Sequence, residues 1–189
     1  MIFGPDAALP HRPARIVVAG TSGSGKTTLA ARLGCLLGIE HIEIDSLFHG
    51  PNWTPRPTFE HDVDEFVARS SWVTEWQYSI VRDRLADRAE LFLWLDLPRR
   101  TVMRQVTIRT LRRRFGRREL WNGNIEPPLH RIFLDREHII RWAWNTDRST
   151  TERVRQLSAR RPELTIVRFR SHRDVDAWIA SQLIPLARH

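Results

Sequence analysis

Gly20-Thr21-Ser22-Gly23-Ser24-Gly25-Lys26-Thr27-Thr28 follows the apolar run Ile16-Val17-Val18-Ala19 and precedes Leu29, Leu33, Leu36 and Leu37, spaced for one helical face. Strand, glycine-rich turn and helix in that order, with the spacing G-x-x-x-x-G-K-[ST], are the signature of a phosphate-binding loop. Glycines at 20, 23 and 25 allow the backbone to curl with its N–H groups inward, and no Cβ blocks a polyphosphate. The helix beginning near Lys26 adds the unpaired N–H groups and partial positive charge of its first turn. In this pattern Gly20, Ser22, Gly23, Ser24, Gly25, Lys26, Thr27 and Thr28 surround the phosphates. Lys26 bridges the β- and γ-phosphates, and the Thr27 hydroxyl ligates Mg²⁺.

Lys26 is the single lysine among 30 basic side chains, the rest being arginine. A compact ammonium is kept where a planar guanidinium would not fit the phosphate nest. The same fact excludes a Ras-type GTPase, whose guanine-reading N-K-x-D needs a second lysine. At 189 residues, 41% hydrophobic and 28% charged, the chain has the length and composition of one globular domain. Its single cysteine, Cys35, lies among the leucines of the first helix, is expected to be a buried thiol, and points to the cytoplasm. Residues 1–14 carry neither a signal-peptide pattern nor a membrane anchor and read as a loose tail ahead of a domain at 15–189. The longest apolar stretch, Leu91 to Leu95, is too short to span a bilayer.

Along that domain the pattern alternates. His41 to Asp45 reads as a strand ending in a carboxylate, and the proline-rich 50–57 breaks regular structure. Thr58 to Ala68 is amphipathic, Trp72 to Glu75 a short strand, and Ser79 to Arg88 a helix. Leu91 to Leu95 is a buried strand, followed by an arginine-rich helix to about Arg118, the irregular Trp121 to Pro128, and helices to about Arg160. Leu164 to Arg168 is the last strand and Asp174 to Leu186 the closing helix. The expectation is an α/β fold of the P-loop NTPase type, with five parallel strands sandwiched by helices. Ligands in such sheets bind at the carboxyl ends of the strands, where Lys26, Asp45, Glu75 and Asp96 all fall.

The ensemble resembles the P-loop proteins of the nucleoside-monophosphate-kinase type, adenylate kinase among them, and is most similar to the bacterial DNA topology modulation proteins. The resembling residues are Gly20 to Thr28, Asp45 with Pro51-Asn52-Trp53, Trp72-Val73 with Tyr78-Ser79 and Val81-Arg82, Leu93 to Pro98, and Leu120-Trp121-Asn122-Gly123-Asn124. The resemblance implies a substrate-binding segment after the second strand, an arginine-bearing lid at 99–130, ATP with Mg²⁺, and phosphoryl transfer. One departure stands out. Where adenylate kinases carry Asp-Gly-Phe-Pro-Arg, this chain reads Glu75-Trp76-Gln77-Tyr78-Ser79, which points away from a standard nucleoside monophosphate acceptor.

Asp45 is the candidate to orient an acceptor hydroxyl or a metal-bound water, against its reading as a helix cap. Glu75 reads either as a contributor to substrate or metal binding or as a charge paired with Arg82, and Arg82 as a phosphate or acceptor contact. Trp53, Trp76 and Trp121 fall in loops around the cleft, where a ring stacks on a base or sugar; Trp72, Trp94 and Trp178 read as core. Arg109, Arg113 and Arg117 line one helical side at four-residue spacing, with Ile108, Leu111 and Phe115 on the other. Such a row suits a lid that neutralises a transferring phosphoryl group, or it is a solvated face. Arg141 and Arg148 are secondary candidates.

Together these readings describe a phosphotransferase that moves the γ-phosphoryl of ATP to a small acceptor such as a nucleotide or nucleoside. The alternative is a nucleotide-dependent DNA-binding regulator, suited by the formal charge of +8 and the arginines of 99–118. No recognition-helix, zinc-finger or RNA-binding signature accompanies that charge, so nucleic acid is the less favoured partner.

Overall fold

The computed structural model describes residues 1–116 and 150–187, with the backbone alone at 109–116. In chain order the described elements are β1 (Ile2–Phe3), β2 (Arg15–Gly20), α1 (Lys26–Leu37), β3 (His41–Ile42), α2 (Ile44–Phe48) and a 3₁₀ turn at Pro51–Trp53. Then come α3 (Phe59–Val67), β4 (Trp72–Glu75), α4 (Arg82–Arg88), β5 (Leu91–Leu95) and α5 (Arg99–Gly116). Helix α6 occupies 150–160. Strand β6 (Thr165–Phe169), α7 (His172–Trp178), a π-helical turn at Ile179–Leu183 and α8 (Ile184–Ala187) complete the described chain.

All strands pair in parallel in one sheet of order β1-β6-β5-β2-β4-β3. Its central strands are apolar without interruption because both faces are covered. The pleat sends Val17, Ala19, Phe92 and Trp94 to one face, where they meet Val63, Phe66 and Val67 of α3, Leu85 of α4, and Val154 and Leu157 of α6. Ile16, Val18, Leu91 and Leu93 face the other way, onto Leu29, Leu33 and Leu37 of α1 and Val175 and Trp178 of α7. Each fully buried side chain of this size contributes about 1.5–3 kcal/mol of hydrophobic stabilisation. The result is a three-layer α/β/α arrangement. From β2 the chain runs outward to β3, returns to β4, and then crosses to β5 on the other side of β2. Connections therefore diverge at the carboxyl end of β2, where a parallel sheet opens a crevice for ligands.

The sheet has six strands where the sequence pattern gives five. Ile2 and Phe3, in the leader expected to be loose, pair in register with Ile166 and Val167. The Trp178 indole donates to the Ala7 carbonyl at 3.0 Å, which straps the leader over α7. Two residues are too few to give a period, and the flanking prolines mask them. His41 to Asp45 is also shorter as a strand than expected: β3 ends at Ile42, and Asp45 sits in the first turn of α2. Cys35 is exposed rather than buried. Helix α1 turns Leu29, Leu33 and Leu37 inward at four-residue spacing, and position 35 falls off that row. Among the described residues no helix is long and apolar enough to cross a membrane.

Candidate functional site

The loop between β2 and α1 curls as its glycines require. Gly23 has φ 83° and Gly25, at the N-cap of α1, has φ 95°, both in the region that favours glycine. A Cβ on Gly23 would stand 2.3 Å from a Val106 methyl, so α5 packs directly on the loop. The turn is closed by Ser24 N–H donating to the Thr21 carbonyl at 3.1 Å and Leu29 N–H donating to Gly25 at 2.9 Å. Lys26 is 7% exposed, and its ammonium folds back to donate to the Thr21 carbonyl at 3.2 Å. The Ser24 hydroxyl is buried and makes no hydrogen bond among the described residues. Curled backbone, an ammonium drawn over it and an orphaned buried hydroxyl fit a bound polyphosphate. Half-buried Thr27, at the start of α1, is the residue to offer a hydroxyl to Mg²⁺; Thr28 next to it is exposed.

Asp45, in the first turn of α2, is tied to the segment that follows β4 and is not itself among the residues lining the cavity described below. Its Oδ1 accepts two hydrogen bonds, from the Gln77 amide at 2.9 Å and the Tyr78 phenol at 2.6 Å. Its Oδ2 has no partner among the described residues. Tyr78, the single tyrosine, holds φ 56°, and its ring stacks on Phe48 at 4.1 Å with Phe59 edge-on at 5.2 Å. That packing over-determines an unfavourable backbone conformation, a pattern found where a side chain must be aimed. Burial, then the hydrogen bond and charge of Asp45, push the phenol well above its ordinary pKa, so Tyr78 remains a donor. His49 Nε2 lies 3.2 Å from the Tyr78 oxygen.

Glu75 is buried at the end of β4 and does not line the cavity described below. It is 1% exposed; one oxygen meets His41 Nε2 at 3.0 Å and the other accepts from Ile44 N–H at 3.1 Å. Burial raises its pKa, but the His41 and Ile44 hydrogen bonds and the His41 charge outweigh it, and the net shift is downward. The expected pairing of Glu75 with Arg82 does not occur. Glu75 instead fixes the entry to α2, and through it the position of Asp45. Trp53 is half-buried at φ 60°, edge-on to His49 at 5.1 Å, and is not among the residues lining the cavity described next.

A cavity of about 230 Å³ joins the two sides: Gly20, Ser22 and Lys26 line one wall, and Trp76, Gln77, Tyr78 and Arg82 the other, with Thr150 and Arg153 of α6 closing it. The backbone carbonyl of Arg82 accepts from the Trp76 indole at 3.1 Å, while its guanidinium carbon sits 5.6 Å from the centre of the same ring. Tyr78, Gln77 and Arg153 are site residues the sequence does not announce. The only available hints are the singularity of the tyrosine and its place three residues beyond β4. Asp96 is committed elsewhere: Arg168 binds it through Nε at 2.7 Å and through Nη2.

Of the lid arginines, Arg109 and Arg113 lie on the described backbone of α5, and Arg117 lies outside the described residues, as do Trp121, Arg141 and Arg148. Ile108, expected on the side that holds this helix down, is 37% exposed. Val102 and Val106 pack against the body in its place.

No protein-family model and no curated protein matches the chain. Among solved structures, a gluconokinase from Sinorhizobium meliloti 1021 is similar over 94% of this chain and 95% of its own, at 20% identity and a TM-score of 0.50. A sugar kinase from Janibacter sp. HTCC2649 is 28% identical over 52% of this chain and 67% of its own, with a TM-score of 0.38. A shikimate kinase from Bacteroides thetaiotaomicron is 15% identical over 94% of this chain and 99% of its own, with a TM-score of 0.44. The gluconokinase likeness bears on fold alone and agrees with a parallel sheet between helices carrying a phosphate loop.

Proposed function

We propose that the chain is an ATP-dependent phosphotransferase that moves the γ-phosphoryl group to a hydroxyl of a small acceptor, a nucleotide, nucleoside or other hydroxylated metabolite. The observation that carries this reading is a cavity with the phosphate loop and Lys26 on one wall, and on the other Gln77 and Tyr78, which donate to Asp45 behind them. Within the P-loop kinase fold the residues quoted above favour the adenylate-kinase-like subgroup that includes the topology modulation proteins.

Phosphoryl transfer asks little covalent chemistry of the protein and much positioning and charge neutralisation. Lys26 and the loop N–H groups hold the phosphates. Mg²⁺, when bound, supplies charge neutralisation across the phosphate oxygens, and Thr27 is the residue to hold it. Gln77 and Tyr78 anchor Oδ1 of Asp45, which leaves Oδ2 to accept the proton of an attacking hydroxyl. Arg109, Arg113 and Arg117 would close over the transferring group from α5 and beyond.

The test is ADP release from ATP–Mg²⁺ against a panel of nucleosides, monophosphates, sugars and polyols, on wild type and Asp45→Asn. The variant should keep ATP affinity and lose most turnover; a change under about twofold, which is less than half a kcal/mol of barrier, would return Asp45 to a turn residue. Changing Arg109, Arg113 and Arg117 together to glutamine should depress turnover more than ATP affinity. Duplex DNA binding whose salt slope flattens by about one unit per arginine lost, with turnover unchanged, would favour the DNA-binding regulator instead.

A further inference from the structure

Two positive charges border the cavity without serving the fold. Arg82 stands at the start of α4 and Arg153 in α6, and both line the cavity that contains Lys26. A second cavity of about 350 Å³ opens on their other side, and Trp76, Arg82 and Arg153 line both. Neither guanidinium has an acidic partner among the described residues. The surrounding arginines do: Arg160 of α6 bridges to Asp83 and Asp87 at 3.0 Å each, and Arg84 of α4 pairs with Glu60 and Asp64. The Arg82 Nε is buried with no hydrogen-bond acceptor. Trp76 donates to the Arg82 backbone carbonyl, and its ring lies 5.6 Å from the guanidinium carbon, which favours the conformation that borders the cavity.

Arg82 is half-buried and Arg153 exposed, so the cost of leaving them unpaired falls on Arg82, whose partly desolvated charge faces a second positive charge and no counter-charge among the described residues. Proteins keep such arrangements where a ligand completes them. We propose that Arg82 and Arg153 form an anion subsite, so that the acceptor carries a carboxylate or phosphate group besides the hydroxyl that Asp45 orients. This rests on the phosphotransferase reading of the same cavity. Burial and the facing Arg153 lower the pKa of Arg82, the direction expected of a cation that lacks its anion. Arginine suits either anion, because its planar fork meets two oxygens at once.

The experiment is calorimetric titration of inorganic phosphate, succinate and, as a neutral control, glycerol into protein saturated with ADP–Mg²⁺ and into nucleotide-free protein. One of the two anions should bind the ADP-loaded wild type, with the tighter of them naming the group, while glycerol gives no heat. Arg153→Gln, on an exposed position of a formed helix, and Arg82→Gln should each weaken that binding at least tenfold. Arg168→Gln removes a positive charge from the same end of the sheet and should leave it within twofold. Absence of anion binding, or equal binding in the Arg82 and Arg153 variants, overturns the subsite while ADP binding leaves the phosphotransferase reading intact. If ADP–Mg²⁺ fails to bind the wild type, that reading falls. The titration is then decided on nucleotide-free Lys26→Ala protein, where loss of phosphate or succinate binding on Arg153→Gln still supports the subsite and no loss overturns it.

Discussion

Two arginines lie over two tryptophans on the same face of the sheet, both at its carboxyl end, and only one of them is neutralised. Arg168 sits 4.8 Å from the centre of the Trp94 ring, with Asp96 engaging its Nε and Nη2. Arg82 sits 5.6 Å from the centre of Trp76, and its charged neighbour is Arg153. The first trio ties the end of β5 to β6 and is electrically complete. The second borders open space and is not. Arg168 finds its anion within the chain; Arg82, proposed to serve a ligand, has none among the described residues.

The largest effect is expected at Lys26, which is more buried than Arg82 or Arg153 among the cations proposed to meet a ligand. Lys26→Ala should cost about 10²–10³ in turnover, with ATP affinity at least tenfold weaker and the far-ultraviolet spectrum unchanged. Lys26→Arg should also fail, because the ammonium is buried against the Thr21 carbonyl and a planar guanidinium is a bulkier donor of different geometry. Near-normal turnover of the arginine variant would show that charge alone suffices there.

Exchanging the two arginine trios sharpens the contrast. Arg82→Gln should raise acceptor KM about ten- to a hundredfold, the loss of one charged contact, with melting temperature unchanged or higher. Arg168→Gln should do the reverse, leaving Asp96 half-buried without its partner. That costs about 1–3 kcal/mol, or roughly 2–4 °C per kcal/mol in a chain of this size, while turnover per folded molecule stays within twofold. Paired thermal melts and acceptor titrations read both; equal melting shifts in the two variants would erase the distinction.

The smallest effect concerns the buried carboxylate below the site. Glu75 has a folded pKa below its ordinary 4.5, so its contribution to stability is present above that value and is lost as pH falls through the lower folded one. Glu75→Gln should therefore lower the melting temperature at pH 7 and flatten its decline on the acid side. A variant whose acid limb remains parallel to that of wild type would remove Glu75 as the titrating group.

What the sequence makes legible follows from distance along the chain. The phosphate loop is contained within one strand, turn and helix, so Gly20 to Thr28 can be read residue by residue. Asp45 is legible as a carboxylate following β3, but its helix and its two donors are not, because Gln77 and Tyr78 approach from the segment after the neighbouring strand β4. Glu75 is visible as a carboxylate at a strand end; its partner, His41, lies 34 positions away across the β3–β4 pairing. Arg153 is illegible for the same reason. Its neighbours Val154 and Leu157 mark a buried helical face, and nothing local says that the adjacent position meets Arg82. The exposure of Cys35 is a matter of phase on α1, where one residue's turn of about 100° separates core from water.

The pairing of Ile2 with Ile166 sets an order in time. Ile2 and Phe3 are made some 160 residues before β6, the strand beside them. The Ala7 carbonyl waits longer still for the indole of Trp178. Until then the leader lacks the partners that hold it in the folded chain. Closing so long a span adds a further entropic cost that grows with the logarithm of its length. The outer edge of the sheet is therefore the slow, late step of maturation, completed after β2, β4 and β5 can already have assembled the centre.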